Sequence, residues 1–327
     1  MSGAGEGFRM DLPRIVRRTW PLLVVGGAIA AGTPMVAGNS VFEAQTAGEQ
    51  VETRQIAPKH HLISTPTANM LLFAGRDATV VVGVQRAALV AAAKRLVQEI
   101  GAANIRHVLV LEDEQMPNVA DGWATTGAVT IAHENLIGRM VRSTRFSHSH
   151  EPQVNARPAL PELAFSEVVQ IRTGDEEIHI IHHRSGYTDA DVIVHYEVTN
   201  VVHLGNTFTM DGYPAIHVDR GGDLDGMIAT AESFIRKAAY FSTPMTIVPG
   251  RGRVSSSVRE LRDYRDMLVA VRTRVRQLIA DGKTEDELVA AAPTKEFDVV
   301  WGKGPVPPDA FAAMVYRSLA RNRPSSR

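Results

Sequence analysis

Residues 186–191 read Gly-Tyr-Thr-Asp-Ala-Asp, and residues 204–208 read Leu-Gly-Asn-Thr-Phe. Both segments adjoin short apolar runs bounded by turn-forming residues, and these runs predict strands over 177–182, 191–197 and 201–204. Moving outward, the same patterns predict a strand over 167–172, a helix over 224–239 and a strand over 245–248. The second half of the chain is therefore predicted to contain several strands, a helix and a further strand.

The first half of the chain shows a similar order of elements. Apolar runs predict strands over 61–64, 69–74, 78–84, 106–111 and 129–132, with helices over 87–100 and 134–140. Gly75-Arg76-Asp77 is a hairpin signal between two of these strands. Beyond the second half, helices are predicted over 256–280, after the capping box Thr284-x-x-Glu287, and from Pro308 to about 320. Two similar halves predict an α/β fold, a four-layer αββα sandwich.

Composition excludes several classes of function. The chain has 327 residues, a formal net charge of −1 and 22% charged residues, so nothing indicates a nucleic-acid partner. It has no cysteine, which excludes disulfides, thiolate catalysis, iron–sulfur clusters and cysteine-based zinc sites.

Several segments together resemble the metallo-β-lactamase-fold hydrolases. The segment 186–191 resembles their Gly-His-Thr-x-x-Asp motif, and Gly205-Asn206 resembles the Gly-Asp pair at the end of a strand. Val248-Pro249-Gly250-Arg251-Gly252 resembles their Pro-Gly-His-Gly loop, and the tail is similar to a periplasmic branch of these hydrolases. The resemblance covers roughly residues 60–320, and it implies the same αββα fold.

The resemblance also implies where zinc would bind. The family holds one or two zinc ions with a His-x-His-x-Asp-His loop, two further histidines and a bridging aspartate, and the metal activates a water molecule. In this sequence those seven positions are Glu112, Glu114, Met116, Pro117, Tyr187, Asn206 and Arg251. None keeps the family's residue, so we expect a degenerate member with no metal, no cofactor and no catalytic residues.

Arg251 opposes metal binding because it brings a permanent cation to the site. We therefore predict that its guanidinium lies where the metal would lie and pairs with Glu112 or Glu114. Two alternatives stay open. The pocket is filled by unrelated side chains, or Glu112, Asp113, Glu114 and Asn206 form an oxygen-rich calcium or magnesium site.

Residues 20–38 contain no charged side chain and would span roughly 28 Å as a helix, close to the thickness of a bilayer. Arginines precede this stretch and glutamates follow it, which predicts a cytoplasmic N-terminus over 1–19. Residues 39–60 are predicted as a tether, and 61–327 as the exported domain. This places the chain in the inner membrane as a single-pass protein with a periplasmic domain. A cleaved signal peptide is the alternative.

Three functions follow from these patterns. The first is a non-enzymatic, membrane-anchored accessory subunit of a membrane protein complex, such as a respiratory or photosynthetic assembly, in contact with the lipid bilayer. Its contact surface is expected at the anchor and at a polar surface segment, 143–161. The second is a hydrolase with altered chemistry or no metal. The third is a small-molecule binding module in the old active-site cleft.

Overall fold

The computed structural model describes residues 50–83, 86–111, 122–145 and 160–321, and in these residues twelve strands form two sheets. The first sheet contains, in spatial order, β1 (Glu52–Ala57), β2 (His60–Thr65), β3 (Ala68–Ala74), β4 (Thr79–Gly83), β5 (Ile105–Val110), β6 (Val129–His133) and β7 (Leu163–Phe165). Strands β1 to β4 are antiparallel neighbours, whereas β4 to β7 are parallel.

The second sheet has five strands, and one pair of neighbouring strands is parallel. Its strands are β8 (Val168–Thr173), β9 (Glu176–Ile181), β10 (Ile193–Tyr196), β11 (Val201–Gly205) and β12 (Thr246–Pro249). The order is β12-β11-β10-β9-β8, antiparallel except for the parallel pair β11 and β12. The predicted GYTDAD segment lies between β9 and β10, and the LGNTF segment begins in β11.

Helices connect and flank these strands. They are α1 (Ala87–Glu99), α2 (Glu134–Arg145), α3 (Leu224–Lys237), α4 (Val258–Ala280), α5 (Glu285–Ala290), α6 (Asp298–Trp301) and α7 (Pro308–Arg321). The predicted capping box is present at the start of α5, where the Thr284 hydroxyl accepts from the Glu287 amide and the Glu287 carboxylate accepts from the Thr284 amide.

Successive side chains of a strand point to opposite faces of the sheet. The strands therefore contribute to an inner core between the two sheets and to two outer cores between each sheet and its helices. In β3, Phe73 packs between the sheets, while Leu72 packs outward against α1. In β11, Val201 joins the inner core, while Val202 packs outward against α3 and α4. The layers are therefore helix, sheet, sheet and helix, as the two similar halves predicted.

The structure corrects two boundaries that were predicted from the sequence. Residues 52–57 were expected to belong to an irregular tether, but they pair with β2 as the edge strand β1. The surface segment expected from 143 begins inside α2, which continues to Arg145. The polar side chains of β1 explain the first error, because an exposed edge strand has no apolar run to reveal it.

Among the residues that the structure describes, no helix combines the length and apolar character needed to cross a bilayer. The span predicted over 20–38 lies outside the described residues.

Candidate functional site

The structure brings two of the seven former metal positions to one cavity. Tyr187 and Asn206 line one cavity between the two sheets, and Arg251 directly follows Gly250, another lining residue. The other four positions, Glu112, Glu114, Met116 and Pro117, lie outside the described residues, and so does the predicted ion pair with Arg251.

Asp191 organises the GYTDAD loop. Its buried carboxylate accepts hydrogen bonds from the backbone amides of Gly186 (2.8 Å), Tyr187 (2.6 Å) and Thr188 (3.0 Å), and from the Thr188 hydroxyl (3.1 Å). Burial raises the pKa of Asp191 to about 7, and the four donors oppose that rise. The carboxylate therefore shapes the loop that presents Tyr187, and its oxygens are already engaged.

Side chains of α2 also hold this loop in place. The Asp189 carboxylate forms an ion pair with Arg139 of α2, and the Asn135 side chain donates to the Asp189 carbonyl at 2.8 Å. The Tyr187 ring is buried and lies edge-on to the His217 ring, with ring centroids 4.6 Å apart. The position that resembles a metal-binding histidine is thus occupied by a packed phenol.

A second loop closes the cavity from the end of β12. The Gly250 amide donates to the Gly205 carbonyl at 2.7 Å, and a β-carbon on Gly250 would overlap Oδ1 of Asn206. Glycine is therefore required at 250 because the Asn206 side chain lies against it. The carboxamide fills the place where the resemblance implies a bridging carboxylate.

Asn69 ties this loop to the first sheet. Its backbone amide donates to the Gly250 carbonyl at 2.8 Å. Its side-chain Nδ2 donates to the carbonyls of Pro249 (2.9 Å) and Gly252 (2.8 Å). Asn69 also lines the cavity, and sequence reasoning missed it because the residue stands at the start of an ordinary apolar strand.

His203 also lines the cavity, and the sequence patterns did not single it out. It is fully buried in β11, and Nδ1 accepts a hydrogen bond from the Gly205 amide at 3.1 Å. Burial lowers the pKa of His203 to about 4, so the ring is neutral near pH 7. A neutral ring whose Nδ1 accepts carries its proton on Nε2.

Comparison with solved structures assigns the architecture. A metallo-β-lactamase from Pontibacter korlensis matches with a TM-score of 0.55 at 10% identity, over 67% of this chain and 99% of that one. The DIM-1 metallo-β-lactamase matches with a TM-score of 0.54 at 10% identity, over 67% and 97%. The chain has the metallo-β-lactamase fold. Neither the protein-family models nor the curated protein sequences gave a match.

A longer enzyme matches a larger fraction of this chain. The inverting sec-alkylsulfatase Pisa1 from Pseudomonas sp. matches with a TM-score of 0.64 at 14% identity, over 82% of this chain. This chain spans half the length of that sulfatase. At such identities the likeness establishes the metallo-β-lactamase fold, and the activities in these names are those of the matched proteins.

The described residues around the cavity do not fit the zinc centre that this fold implies. A zinc-binding imidazole must present a lone pair, but the Gly205 amide already donates to His203 Nδ1, which leaves the ring proton on Nε2. The Asp191 oxygens accept four hydrogen bonds, and Arg251 adds a cation beside the cavity. Within the described part of the chain, no group of three or more histidine, aspartate or glutamate side chains could hold a metal ion.

The cavity is also small. It has about 20 Å³ for the centre of a water molecule, which is room for about one water. The calcium or magnesium alternative rests on Glu112, Asp113 and Glu114, which lie outside the described residues, together with Asn206. The described residues that line the cavity can donate and accept hydrogen bonds, and the Asp191 carboxylate among them is already engaged by four donors.

Proposed function

We propose that this chain is a non-catalytic metallo-β-lactamase-fold subunit of a membrane protein complex, with its folded domain on the exported side. The observation that carries the proposal is the chemistry of the cavity. A packed phenol and a carboxamide stand at two of the positions where the resemblance implies metal ligands, and the neutral imidazole of His203 lines the same cavity. The uncharged stretch over 20–38 supports the attachment to an inner membrane.

The contacts around the cavity support a structural role. Asp191, Asp189 and Asn69 hold the family-like loops through buried hydrogen bonds and an ion pair, and these contacts need no substrate. A scaffold requires its loops to keep a fixed shape, whereas a metal site requires particular donor atoms. In the described residues, the loops that carry Tyr187 and Asn206 are held by these contacts, while the donor atoms at the two positions differ from the family's.

An exposed apolar surface supports the presence of a protein partner. Val299 and Val300 of α6 are 74% and 66% exposed. Val300 lines a groove of about 610 Å³, which has an apolar part that includes Met210, Phe297 and Trp301 and a charged part formed by Arg253, Glu260, Asp263 and Asp266. Adjacent exposed aliphatic side chains beside an apolar groove are typical of an interaction site. We therefore place the partner contact at α6, in addition to the predicted anchor.

The test combines metal analysis with isolation of the full-length chain in mild detergent. We expect no stoichiometric zinc and the co-purification of membrane subunits. Val299→Asp with Val300→Asp should reduce the yield of those subunits at least tenfold without unfolding the domain. The matched control is Val198→Asp, because Val198 is also an exposed valine (60%) but lies in the turn between β10 and β11.

Each result has a defined meaning. One zinc ion per chain, with hydrolytic turnover that a chelator abolishes, would contradict the non-catalytic role. A stable monomer that isolates without partners would contradict the accessory role. Equal partner loss in the Val198 control and the double variant would contradict the placement at α6 but not the scaffold itself.

The two alternative functions receive less support. A hydrolase without metal needs a general acid and base that face a substrate, and the carboxylate lining the cavity, Asp191, is buried behind four donors. A small-molecule module in the old cleft needs several hundred Å³, whereas the cavity admits about one water.

A further inference from the structure

Strand β1 leaves one hydrogen-bonding edge of the first sheet open. It is the outermost strand of that sheet, and among the residues that the structure describes it pairs only with β2. The side chains from Glu52 to Gln55 are exposed. The backbone N–H and C=O groups on the outer side of an edge strand can pair with another strand. The side chains of β1 determine which strand this edge accepts.

Two opposite charges stand on the same face of β1. Glu52 is paired with Ser64 of β2, and Arg54 is paired with Leu62, so the two charged residues are two positions apart in the ladder. Both residues line one groove of about 450 Å³, which places their side chains on the same face of the sheet. Thr53 lies between them, and its side chain points to the opposite face.

A second copy of β1 can pair with this edge in only a few ways. A two-fold axis perpendicular to the sheet makes the two strands antiparallel and keeps every side chain on its own face. Residues directly opposite each other in a ladder lie on the same face. A two-fold pair must therefore be centred on one residue, because a centre between two residues would bring opposite faces together.

The charges distinguish between these centres. A pair centred on Glu52 places two carboxylates opposite each other, and a pair centred on Arg54 places two guanidinium groups opposite each other, which is unfavourable. A pair centred on Thr53 places Glu52 of each copy opposite Arg54 of the other. Charges on an edge strand commonly prevent association. Here their alternating signs oppose the neighbouring centres and favour this one.

We propose that β1 binds a second copy of this chain through an antiparallel pair of β1 strands centred on Thr53. The pair extends from Val51 to Gln55, because a shift of register between Gln55 and Ala57 interrupts the ladder beyond that point. The first sheets of the two copies then form one continuous sheet. This dimer goes beyond the proposed function, since it concerns a second copy of the chain and not a membrane subunit.

Disulfide trapping of the full-length chain in mild detergent tests the centre directly, because the chain contains no cysteine. Thr53→Cys places two thiols next to the axis, where opposite α-carbons are about 4.5–5.5 Å apart and a disulfide can form. The matched control is Gln55→Cys, because Gln55 is exposed on the same face of the same strand but lies opposite Val51. Its thiols would be roughly 13 Å apart along the strand. We expect at least about tenfold more disulfide-linked dimer from position 53.

Charge reversal tests the pairing without cysteine. Glu52→Arg leaves two cations on each edge, and Arg54→Glu leaves two anions, so each variant alone should associate about tenfold more weakly than the unaltered chain. An equimolar mixture of the two variants should form a heterodimer, because every charged pair across the axis is then opposite in sign. The chain with both substitutions should recover the homodimer. Sedimentation in mild detergent measures each association.

The outcomes separate the β1 pair from other arrangements. Preferential trapping at position 53, together with heterodimer formation by the two charge variants, would establish the pair. A chain that stays monomeric at every concentration would overturn it. Equal trapping at positions 53 and 55, or a dimer unaffected by either single charge reversal, would also overturn it, because the second copy would then bind elsewhere.

Discussion

The Asn69 backbone amide donates to the Gly250 carbonyl at 2.8 Å, and this bond joins the first sheet to the loop that follows β12. The Asn69 side chain adds two bonds to the same loop, at Pro249 and Gly252. One residue thus holds three carbonyl groups of the segment that carries Arg251. The position of this loop depends on a residue from the opposite half of the fold.

We predict that Asn69→Ala lowers the free energy of unfolding by about 2–4 kcal/mol, because two buried carbonyls lose their donor. Urea denaturation followed by circular dichroism measures this change. Gln55→Ala is the control, since Gln55 makes a side-chain bond to a carbonyl on the exposed edge strand. The control should stay within about 0.5 kcal/mol. Equal effects of the two substitutions would show that Asn69 does not clamp the loop.

Two helical glycines should respond oppositely to alanine. A β-carbon at Gly226 in α3 would overlap the backbone carbonyl oxygen of Ser185, which cannot move aside. Gly226→Ala should therefore cost about 3 kcal/mol or more. At Gly138 in α2 the nearest atom is 3.4 Å away, at the flexible end of Arg142. Gly138→Ala should be neutral or stabilise by up to about 1 kcal/mol. Thermal unfolding of both variants decides whether this contrast exists.

The buried histidines make stability depend on pH. Burial lowers the pKa values of His60 and His203 to about 4, from 6.5 in the unfolded chain. The unfolded state therefore binds more protons between these values, and stability is lost as pH falls from about 6.5 to about 4. Each histidine contributes up to about 1.4 kcal/mol per pH unit.

Asp191 changes the pH dependence of stability in the opposite direction. Its folded pKa of about 7 lies above the unfolded value of 3.8, so its contribution is lost as pH rises through that range. Because two histidines oppose one aspartate, we expect the free energy of unfolding to fall as the solution is acidified. Urea midpoints at pH 6.5 and pH 5 measure it, and His203→Gln should flatten the slope. A wild-type protein that gains stability at pH 5 would show that Asp191 dominates.

The ion pair predicted for Arg251 can be tested by double-mutant cycles with Glu112→Ala and Glu114→Ala. We expect a coupling of about 1–3 kcal/mol with one of these carboxylates, because the pair would face a confined pocket. The reference cycle is Arg253 with Glu260, an ion pair of 2.8 Å on a more exposed surface, which should couple by less than about 1 kcal/mol. Zero coupling of Arg251 with both glutamates would refute the pairing.

The sequence predicted the sandwich because the apolar periods and the turn residues agree along both halves. The capping box before α5 and the order of the family-like loops were accessible for the same reason. Strand β1 could not be predicted from the sequence, because its residues from Glu52 to Gln55 are polar and exposed and pair only at the sheet edge. Patterns of burial cannot reveal a strand that buries little.

The cavity was only partly accessible from sequence. Tyr187 and Asn206 were found because each occupies one position in a recognisable motif. Asn69 and His203 were missed as a pair, because they stand far apart in the chain and meet only through the packing of the two sheets. The tautomer of His203 depends in turn on the Gly205 amide, and no residue pattern encodes that bond.

Strand β1 begins close in sequence to the predicted membrane span. It starts at Glu52, so thirteen residues, 39–51, separate it from the span predicted over 20–38. Even fully extended, thirteen residues reach roughly 45 Å. With the predicted span as the anchor, that reach would be the upper limit of the distance between β1 and the membrane surface.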